Sequence, residues 1–425
     1  MNNPPNTANP CSSSRVVTQC QVCESNKLHP FLFLGYMPPV NKMVRAGTPP
    51  CEQPAYPAQL LYCEKCHLVQ LGLIVDPSIL FPVEYPYTSS TTKVLRDNFA
   101  ELYQECRRLL QPGPNDLVVD IGSNDGNLLS NFKDHHRVQG ITPEDIGKIA
   151  VERGIPTIFS YFNESAVKKV LDTQGRAKIV TATNVYAHMD DIHSITDLII
   201  RLLDTNGVFV SECHYLGSLI ETLQYDTIYH EHMRYYSLHS LKHLLEMHKL
   251  EVFHVTQIGT HGGSIRVYAG RKGQHDIASS VKSLLDKEKK SILSLQALEN
   301  FKQDVVKSKI GLFTLLKDIK ETDAKIYGIG APSRGSTLIH YIGLDDGIID
   351  TVLEVKGSYK IGKYIPGTVV PVEDESRLYE DQPEYAILFS WHIADELMPK
   401  LKEKGYRGHF IVPLPEPRVI YNKDI

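Results

Sequence analysis

Four cysteines fall into two CxxC pairs near the start of the chain, Cys20 with Cys23 and Cys63 with Cys66. Four thiolates can surround one Zn²⁺ tetrahedrally and leave no open position, which is the arrangement of a structural rather than a catalytic zinc. A redox CxxC is not favoured, because neither pair opens a helix after a buried strand. The spacing therefore predicts a structural zinc site, with four unrelated cysteines as the alternative.

A second group of polar residues follows the apolar residues 117–119 and has the form acidic-x-Gly-x-x-x-Gly, from Asp120 through Gly122 to Gly126. Such spacing is typical of a strand that turns into a helix around a nucleotide-like ligand, because glycines let the backbone approach it closely. The segment does not spell the GxGxxG of a dinucleotide site. It therefore favours S-adenosylmethionine, with an ordinary turn as the alternative.

A third group, Tyr229-His230-Glu231-His232, could supply acid–base chemistry. Histidine suits proton abstraction near neutral pH, and the neighbouring hydroxyl and carboxylate could hold a polar substrate. A metal held by the two histidines is not favoured, because no third ligand lies nearby in the sequence. The alternative is a polar loop whose histidines cap or fill space.

A fourth group extends from Gly328 through Gly330 to Gly335 and includes Arg334. It is similar to a phosphate-binding turn, and the arginine could neutralise charge, although the spacing is not a clean dinucleotide fingerprint. Ordinary packing glycines are one alternative. An NAD(P)-dependent oxidoreductase that uses this turn is another, and it would give a hydride-transfer signal.

The composition limits the class of protein. At 425 residues with 42% hydrophobic and 22% charged residues, the chain should hold two or three globular domains. Its net charge of −5 does not indicate nucleic acid or an anionic membrane as partner, which also argues against a non-catalytic zinc protein that binds nucleic acid. No apolar run approaches the roughly 20 residues that span a bilayer. With no signal pattern and cysteines in metal-type pairs, we expect a cytoplasmic protein.

The chemical groups must be positioned by alternating strands and helices. A helix is expected over residues 93–110, and residues 115–270 then alternate, which predicts a parallel sheet covered on both faces. Its strands are expected at 117–121, 137–141, 178–183 and 207–212, with helices at 127–132, 146–153 and 193–203. Residues 250–255 and 264–269 could add an antiparallel pair.

After a charged helix over 282–309, the alternation restarts with strands at 325–329, 349–354, 385–389 and 408–412 and a helix from 336 to 341. The expected fold is therefore α/β, with an N-terminal zinc module followed by a larger and then a smaller nucleotide-binding-type domain. The expected bounds are a disordered tail at 1–14, the zinc module at 15–75, the central domain at 76–275, a helical connection at 276–310, and the C-terminal domain at 311–425.

Together these motifs resemble the sugar C-methyltransferases of nucleotide-linked deoxysugar pathways. The resemblance covers nearly the whole chain and rests on four further stretches: Asn184-Val185-Tyr186-Ala187-His188, Ile228-Tyr229-His230-Glu231-His232, His261-Gly262-Gly263-Ser264-Ile265-Arg266 and Gly330-Ala331-Pro332-Ser333-Arg334-Gly335. It implies that the zinc module is followed by a central Rossmann-like methyltransferase domain that binds S-adenosylmethionine, over residues 76–275, and by a C-terminal Rossmann-like domain. It also implies an enzyme that moves the methyl group of S-adenosylmethionine to carbon 3 of a 4-keto-6-deoxyhexose carried on a nucleoside diphosphate. The reaction would proceed through an enolate formed by a base.

The resemblance also implies roles for single residues. His232 would be the base, with Tyr229 and Glu231 binding sugar or enolate oxygens and His230 supporting them. The cofactor would be bound by residues of three loops, namely Asp120, Gly122, Asn124, Gly126, Thr142, Asn184 and His188. Thr142 stands where an acidic residue usually binds the ribose hydroxyls. Either the threonine makes a weaker hydrogen bond, or Glu144 takes that role, or the cofactor binds more weakly than usual.

The substrate would be bound by Tyr87, Arg266, Gly330, Ser333 and Arg334. Trp391-His392 stands where the family pattern has Trp-Asn, and Glu354 stands near an expected aspartate. These departures leave the nucleotide open between GDP and dTDP. The resemblance also implies a monomer.

Overall fold

The computed structural model describes residues 14–49, 51–80, 89–90 and 92–425. They form three parts, each with a main sheet, which confirms the α/β fold expected from the sequence. The disordered tail expected for residues 1–14 lies, apart from Ser14, outside the described residues, and so does Tyr87. Within the described chain, no helix has the length and apolar character needed to cross a membrane.

The N-terminal part is an antiparallel sheet of four strands, one of which comes from elsewhere in the chain. Their spatial order is Arg234–Tyr235, Val69–Leu71, Tyr56–Cys63 and Leu28–Met37. Arg15–Val16 and Leu73–Ile74 form a separate pair, and a short helix spans Pro77–Leu80. The strand Arg234–Tyr235 directly follows the Tyr-His-Glu-His segment, so the zinc-binding part holds the end of that segment by backbone pairing.

The central part is a seven-stranded sheet with helices packed on it. Its spatial order is Leu250–Ile258, Ser264–Arg271, Leu203–His214, Ala177–Thr183, Leu117–Ile121, Arg137–Thr142 and Thr157–Phe159. The last five are parallel, and the first two form the expected antiparallel pair. The helices span Lys93–Leu110, Gly147–Glu152, Glu164–Thr173, Ile192–Leu202, Leu216–Glu221 and Leu238–Met247. Because parallel strands end at one edge, their loops converge there.

The first helix confirms the prediction for residues 93–110. Leu95, Phe99 and Leu102 recur at helical spacing and are all buried against the sheet. The helix ends at Gln111, which adopts a left-handed conformation with φ of 44° and bonds back to Arg107.

The helix expected at 127–132 is wrong: only a 3₁₀ turn forms there, over Leu129–Asn131. The Ser130 hydroxyl donates to the carbonyl of Gly126, and the Asn131 amide donates to the carbonyls of Asn127 and Leu128. Such side-chain bonds compete with a regular helix. The glycine turn therefore does not open a helix, and a helix dipole plays no part in it.

The single helix expected at 282–309 is two helices, Ser279–Ser291 and Leu295–Lys320. The break lies at Ser294, whose hydroxyl accepts from the backbone N–H of Ala297 and so caps the second helix.

The C-terminal part is a six-stranded sheet in the order Val372–Asp374, Thr351–Glu354, Ile326–Ile329, Tyr385–Leu388, His409–Val412 and Arg418–Ile420. The first five strands are parallel and the last is antiparallel. Its helices span Ser333–Ile342, Ser376–Asp381 and Ala394–Glu403. The four strands predicted for this region are confirmed.

One of the hydrophobic clusters contains residues of all three parts. Leu60 of the N-terminal sheet, Tyr225 of the central part and Ile339 of the C-terminal part belong to the same buried cluster. The rings of Tyr225 and Tyr341 lie 5.3 Å apart in an edge-to-face arrangement. The segment that contains Tyr229 to His232 therefore lies where all three parts meet.

Candidate active site

The four cysteines of the two CxxC pairs come together as predicted. All four are buried, and their sulfur atoms lie within 4.8 Å of one another. Sulfur atoms of Cys20 and Cys66 are 3.4 Å apart, as are those of Cys23 and Cys63. At a Zn–S length of about 2.3 Å, tetrahedral geometry places ligand sulfurs about 3.8 Å apart, so the cluster fits one zinc ion with a closed coordination shell.

The described residues contain no other cluster of this kind.

The glycine turn that follows strand Leu117–Ile121 has the geometry of a cradle for a ligand. Gly122 has φ of +74°, and a Cβ there would lie 2.5 Å from Cγ1 of Val185. Only glycine fits a position that is both left-handed and this crowded. Asp120, buried at the end of the strand, accepts from the Thr181 hydroxyl at 2.6 Å, and burial raises its pKa to about 7.

The next positions of the turn and the loop after the neighbouring strand face each other. Asn124 and Gly126 both have positive φ, and the side chain of Glu144 hydrogen-bonds to Asn124. Burial raises the pKa of Glu144, and that hydrogen bond partly opposes the shift. Thr142 is buried at the end of its strand. The Ser123 hydroxyl is buried without a partner among the described residues, as expected for a turn that awaits a polar ligand.

The loop after strand Ala177–Thr183 carries Asn184 and His188. Asn184 has φ of 57°, its N–H donates to the carbonyl of Glu212 at 2.7 Å, and its side chain bonds to the Glu212 carboxylate. The ring of His188 lies 4.9 Å from that of His232. The structure thus brings the predicted cofactor loop against the predicted base.

His232 is oriented by its own segment. Its Nδ1 lies 2.9 Å from the carbonyl oxygen of Thr227. A carbonyl only accepts, so Nδ1 carries the proton and Nε2 keeps its lone pair. Burial, followed by the neighbouring His188, lowers the pKa of His232 well below its usual value. The centroid of the Tyr229 ring lies 4.1 Å from that of the imidazole, with the two ring planes tilted by 35°. His232 is therefore neutral at physiological pH and able to accept a proton at Nε2.

Glu231 and His230, on either side of this arrangement, are bound by the N-terminal part. Glu231 is buried and its Oε1 accepts from Nδ2 of Asn41 at 2.6 Å. His230 contacts the carbonyl of Pro57 at 3.3 Å and the ring of Tyr56 at 5.8 Å. Burial lowers the pKa of His230 to about 4. His230 thus packs against the zinc-binding part.

The C-terminal turn approaches the same segment. Gly330 adopts φ of +77°, and the Ser333 hydroxyl donates to Oδ1 of Asn41 at 3.2 Å. A Cβ on Gly328 would lie 2.5 Å from Cε2 of Phe389, so this glycine is required by packing alone. Arg334 is buried and pairs with Asp226 of the central part.

Arg266 occupies a different place from the one expected of a substrate ligand. It is fully buried, and its three guanidinium nitrogens donate to Glu212, Glu105 and Asn98. The substrate contact predicted for it gains no support from this geometry. Tyr87, the remaining substrate residue of the prediction, lies outside the described residues.

Several groups near the site carried no recognisable signal in the sequence. Asn41 and Asp226 belong to no motif, yet both contact the site through buried hydrogen bonds. Lys360 reaches the turn from the C-terminal part and donates to the carbonyl of Ala331. Three buried imidazoles also have pKa values lowered by burial and then by other groups that include the charge of Arg334: His214, His261 and His392.

A parallel sheet with a glycine turn and a loop histidine at its carboxyl edge, joined to a closed four-cysteine site, is the architecture of a zinc-containing, S-adenosylmethionine-dependent methyltransferase. Three family models match the chain in order: a zinc binding domain at residues 20–81, a methyltransferase domain at 94–255, and a C-methyltransferase C-terminal domain at 259–415.

C-methyltransferase NovU of Streptomyces niveus is 30% identical over 415 residues, which cover 96% of this chain and 97% of that protein. The chain belongs to this family of C-methyltransferases. The match of the C-terminal part to a methyltransferase model removes the support for the oxidoreductase alternative.

Solved structures overlap the chain only in part. The PH0226 protein of Pyrococcus horikoshii OT3 is 15% identical and covers 45% of this chain and 97% of its own, with a TM-score of 0.36. An S-adenosylmethionine-dependent methyltransferase of Thermotoga maritima is 17% identical and covers 42% and 92%, with a TM-score of 0.32. The family assignment does not depend on them.

Proposed function

We propose that this C-methyltransferase methylates carbon 3 of a 4-keto-6-deoxyhexose carried on a nucleoside diphosphate. The observation that carries the proposal is the neutral imidazole of His232, whose Nε2 is available beside His188 of the cofactor loop. A carbon next to a ketone is acidic enough for an imidazole to deprotonate when the enolate oxygen is stabilised.

His232 takes the proton from carbon 3 at Nε2, and the electron pair of the broken C–H bond forms the C3–C4 double bond of an enolate. S-adenosylmethionine, held by the glycine turn and the loop at His188, would supply an electrophilic methyl group with a neutral thioether as the leaving group. The enolate carbon would accept that methyl group as the carbonyl re-forms, and His232 would then release its proton to water. Burial keeps the imidazole neutral before the reaction, so no proton must first be lost.

The remaining site residues position the reactants. We assign Tyr229, Glu231 and Tyr87 to the oxygens of the sugar and enolate, and His230 to the support of their segment. The ribose hydroxyls of the cofactor would be bound by Glu144 or Thr142. The rest of the cofactor would be held by Asp120, Gly122, Asn124, Gly126, Asn184 and His188. Orientation of the carbon nucleophile towards the methyl group and stabilisation of the enolate oxygen would both lower the barrier.

The C-terminal turn at Gly330 and Ser333 would bind the nucleotide end of the substrate. Only the resemblance limits the nucleotide to GDP or dTDP, and it does not distinguish between them. The assay therefore includes both. The thiolates of the zinc site require a reducing compartment, which supports a cytoplasmic enzyme. A monomer is proposed on the same resemblance.

The test is a mass-spectrometric assay of the zinc-loaded protein with S-adenosylmethionine and either GDP- or dTDP-linked 4-keto-6-deoxyhexose in deuterated water. A product heavier by one methyl group in place of hydrogen, from one of the two sugars, would support the proposal and identify the nucleotide. His232→Asn should abolish both deuterium uptake at carbon 3 and methylation while S-adenosylmethionine still binds. His29→Asn, which alters an exposed histidine of the zinc-binding part, is the control. Methylation at the wild-type rate by His232→Asn would overturn the assignment of the base.

A further inference from the structure

A buried ion pair joins the C-terminal part to the segment that holds the catalytic base. Nε and Nη2 of Arg334 donate to the two carboxylate oxygens of Asp226, each at 2.8 Å. The indole N–H of Trp391 donates to the same carboxylate at 2.8 Å, and the guanidinium lies 4.9 Å from the indole ring. Both charged side chains are at most 8% exposed. This is a bidentate pair of the kind that fixes geometry as well as charge.

The Asp226 end of this pair is one residue from the group that orients the base. Asp226 lies in the 3₁₀ turn Tyr225–Thr227, and the carbonyl of Thr227 accepts from Nδ1 of His232. Movement of the turn would therefore change both the ring position and the tautomer of the imidazole. A shift of about 1 Å in such a group can lower a rate about 100-fold.

Arg334 has no donor nitrogen left without a protein partner. Besides the two contacts to Asp226, Nη2 lies 3.3 Å from Oε1 of Gln224 and Nη1 lies 3.1 Å from Nδ1 of His392. The sequence predicted a direct contact between this arginine and the substrate. The contacts instead favour a role exercised through the turn.

We propose that Arg334 is a positioning residue: through Asp226 it holds the turn whose carbonyl orients His232, so that the C-terminal part completes the active site. This inference rests on the base role proposed above for His232. It adds a second task to a C-terminal part that was expected only to bind the nucleotide.

The test compares Arg334→Lys with wild type in the full-length, zinc-loaded protein. Lysine keeps the positive charge but cannot form the bidentate contact. Four quantities are measured: deuterium uptake at carbon 3, kcat and KM for methyl transfer, the dissociation constant for S-adenosylmethionine, and tryptophan fluorescence. Trp391 is the one tryptophan of the chain and contacts both members of the ion pair, so its emission reports on the surroundings of that pair. Arg377→Lys is the matched control, since Arg377 pairs with Asp381 within the C-terminal part.

We expect Arg334→Lys to lower deuterium uptake and kcat together by about 100-fold, with a shift in Trp391 emission and an unchanged dissociation constant for S-adenosylmethionine. For Arg377→Lys, we expect deuterium uptake, kcat, KM and the dissociation constant for S-adenosylmethionine to stay within about twofold of wild type. A raised KM for the nucleotide sugar with unchanged kcat would overturn the proposal, because it would show direct substrate binding. Uptake and kcat within about twofold of wild type would overturn it too.

A second variant decides the matter if Arg334→Lys does not fold. Trp391→Phe keeps the ring but removes one donor to Asp226, and we expect it to lower deuterium uptake by about tenfold, the effect of one lost hydrogen bond to a charge. Uptake at the wild-type rate in that variant would overturn the proposal. If the wild-type enzyme itself exchanges no deuterium, the proposed function fails and not the ion pair alone. These two failures are therefore distinguishable.

Discussion

Asn41 of the zinc-binding part donates from Nδ2 to Oε1 of Glu231 over 2.6 Å, and its Oδ1 accepts from the hydroxyl of Ser333 in the C-terminal part. A carboxylate only accepts and the serine hydroxyl donates, so the two contacts fix which way the amide faces. One side chain thus links all three parts beside the proposed base. The zinc-binding part therefore contributes a side chain to the proposed active site.

This link can be tested by Asn41→Ala. The change removes one donor from a buried carboxylate, and we expect kcat for methyl transfer to fall by about 10- to 100-fold, corresponding to about 1.5–3 kcal/mol for a hydrogen bond to a charge. Steady-state kinetics with both substrates checks it. Ser333→Ala removes the second contact of Asn41 together with the contact proposed between Ser333 and the nucleotide, so we expect KM for the nucleotide sugar to rise while kcat falls by about threefold or less. Equal losses of kcat in Asn41→Ala and Ser333→Ala would contradict the role proposed for Glu231.

Removal of zinc should abolish activity by loosening the N-terminal part. The four cysteines are buried and hold the module together, so metal binding contributes folding energy there. We expect a chelator, or Cys63→Ser, to release one zinc per chain and to lower the melting temperature and the rate together. Metal release is followed with a zinc-sensitive dye and folding by circular dichroism.

Cys51 offers the matched control for the zinc experiment, because it is exposed and lies outside the cluster. Cys51→Ser should retain the metal, the melting temperature and the rate. Full activity in a protein shown to be free of zinc would refute the structural role of the metal.

Sequence patterns predicted those parts of the site that lie within one segment. The spacing of the CxxC pairs predicted the cysteine cluster, and the glycine spacing predicted the turn at Gly122, whereas the loop at His188 was assigned from the family resemblance. The contacts of Asn41 and Asp226 could not be predicted, because they arise only when separate parts pack together. A lone Asn after two prolines carries no signal of its partner 190 residues away.

Two departures have a clear physical origin. The helix expected after the glycine turn fails because Ser130 and Asn131 bond back to their own backbone. Arg266 follows the predicted Gly-Gly pair, but its strand Ser264–Arg271 is antiparallel to Leu203–His214, which directs the side chain to Glu212 across the pairing. Local patterns do not specify which face of a sheet a charged side chain will occupy.

The rate of deuterium exchange at carbon 3 should decrease with acid only at pH values below the usual pKa range of histidine. Burial lowers the pKa of His232 well below 6.5 and that of His188 to about 4. A base acts in its neutral form, so its activity is present above its pKa and lost as the pH falls through it. We expect deuterium exchange at carbon 3 to be constant from about pH 8 to about pH 6.5 and to decline only below that. A midpoint at or above 6.5 would contradict the environment described for His232.

Stability must be followed in the same pH series. A histidine whose pKa is lowered by folding binds protons more readily in the unfolded chain, so the free energy of unfolding decreases as the pH falls from about 6.5 towards the lowered value. Circular dichroism at each pH separates loss of the fold from protonation of the base.

Binding of the cofactor ribose should depend on Glu144 more than on Thr142. Glu144 hydrogen-bonds to Asn124 of the glycine turn, whereas Thr142 is 1% exposed. Glu144→Gln keeps the size of the side chain and removes the charge, and we expect the dissociation constant of S-adenosylmethionine to rise about tenfold, or about 1.4 kcal/mol. Thr142→Val, the control, should stay within about twofold. Calorimetric titration measures both, and the reverse order would assign the ribose to the threonine.

The pair formed by Arg266 and Glu212 should matter for stability and not for substrate affinity. Both side chains are 0% exposed and lie 3.1 Å apart, and Glu212 also binds the side chain of Asn184 in the cofactor loop. Arg266→Met would leave the Glu212 carboxylate buried without its cation, at a cost of about 3–5 kcal/mol in the free energy of unfolding. Arg108→Met removes an exposed partner 3.7 Å from Glu105 and should cost less than about 1 kcal/mol. Urea denaturation compares the two. A raised KM for the nucleotide sugar with unchanged stability in Arg266→Met would instead establish the direct substrate contact that the sequence predicted.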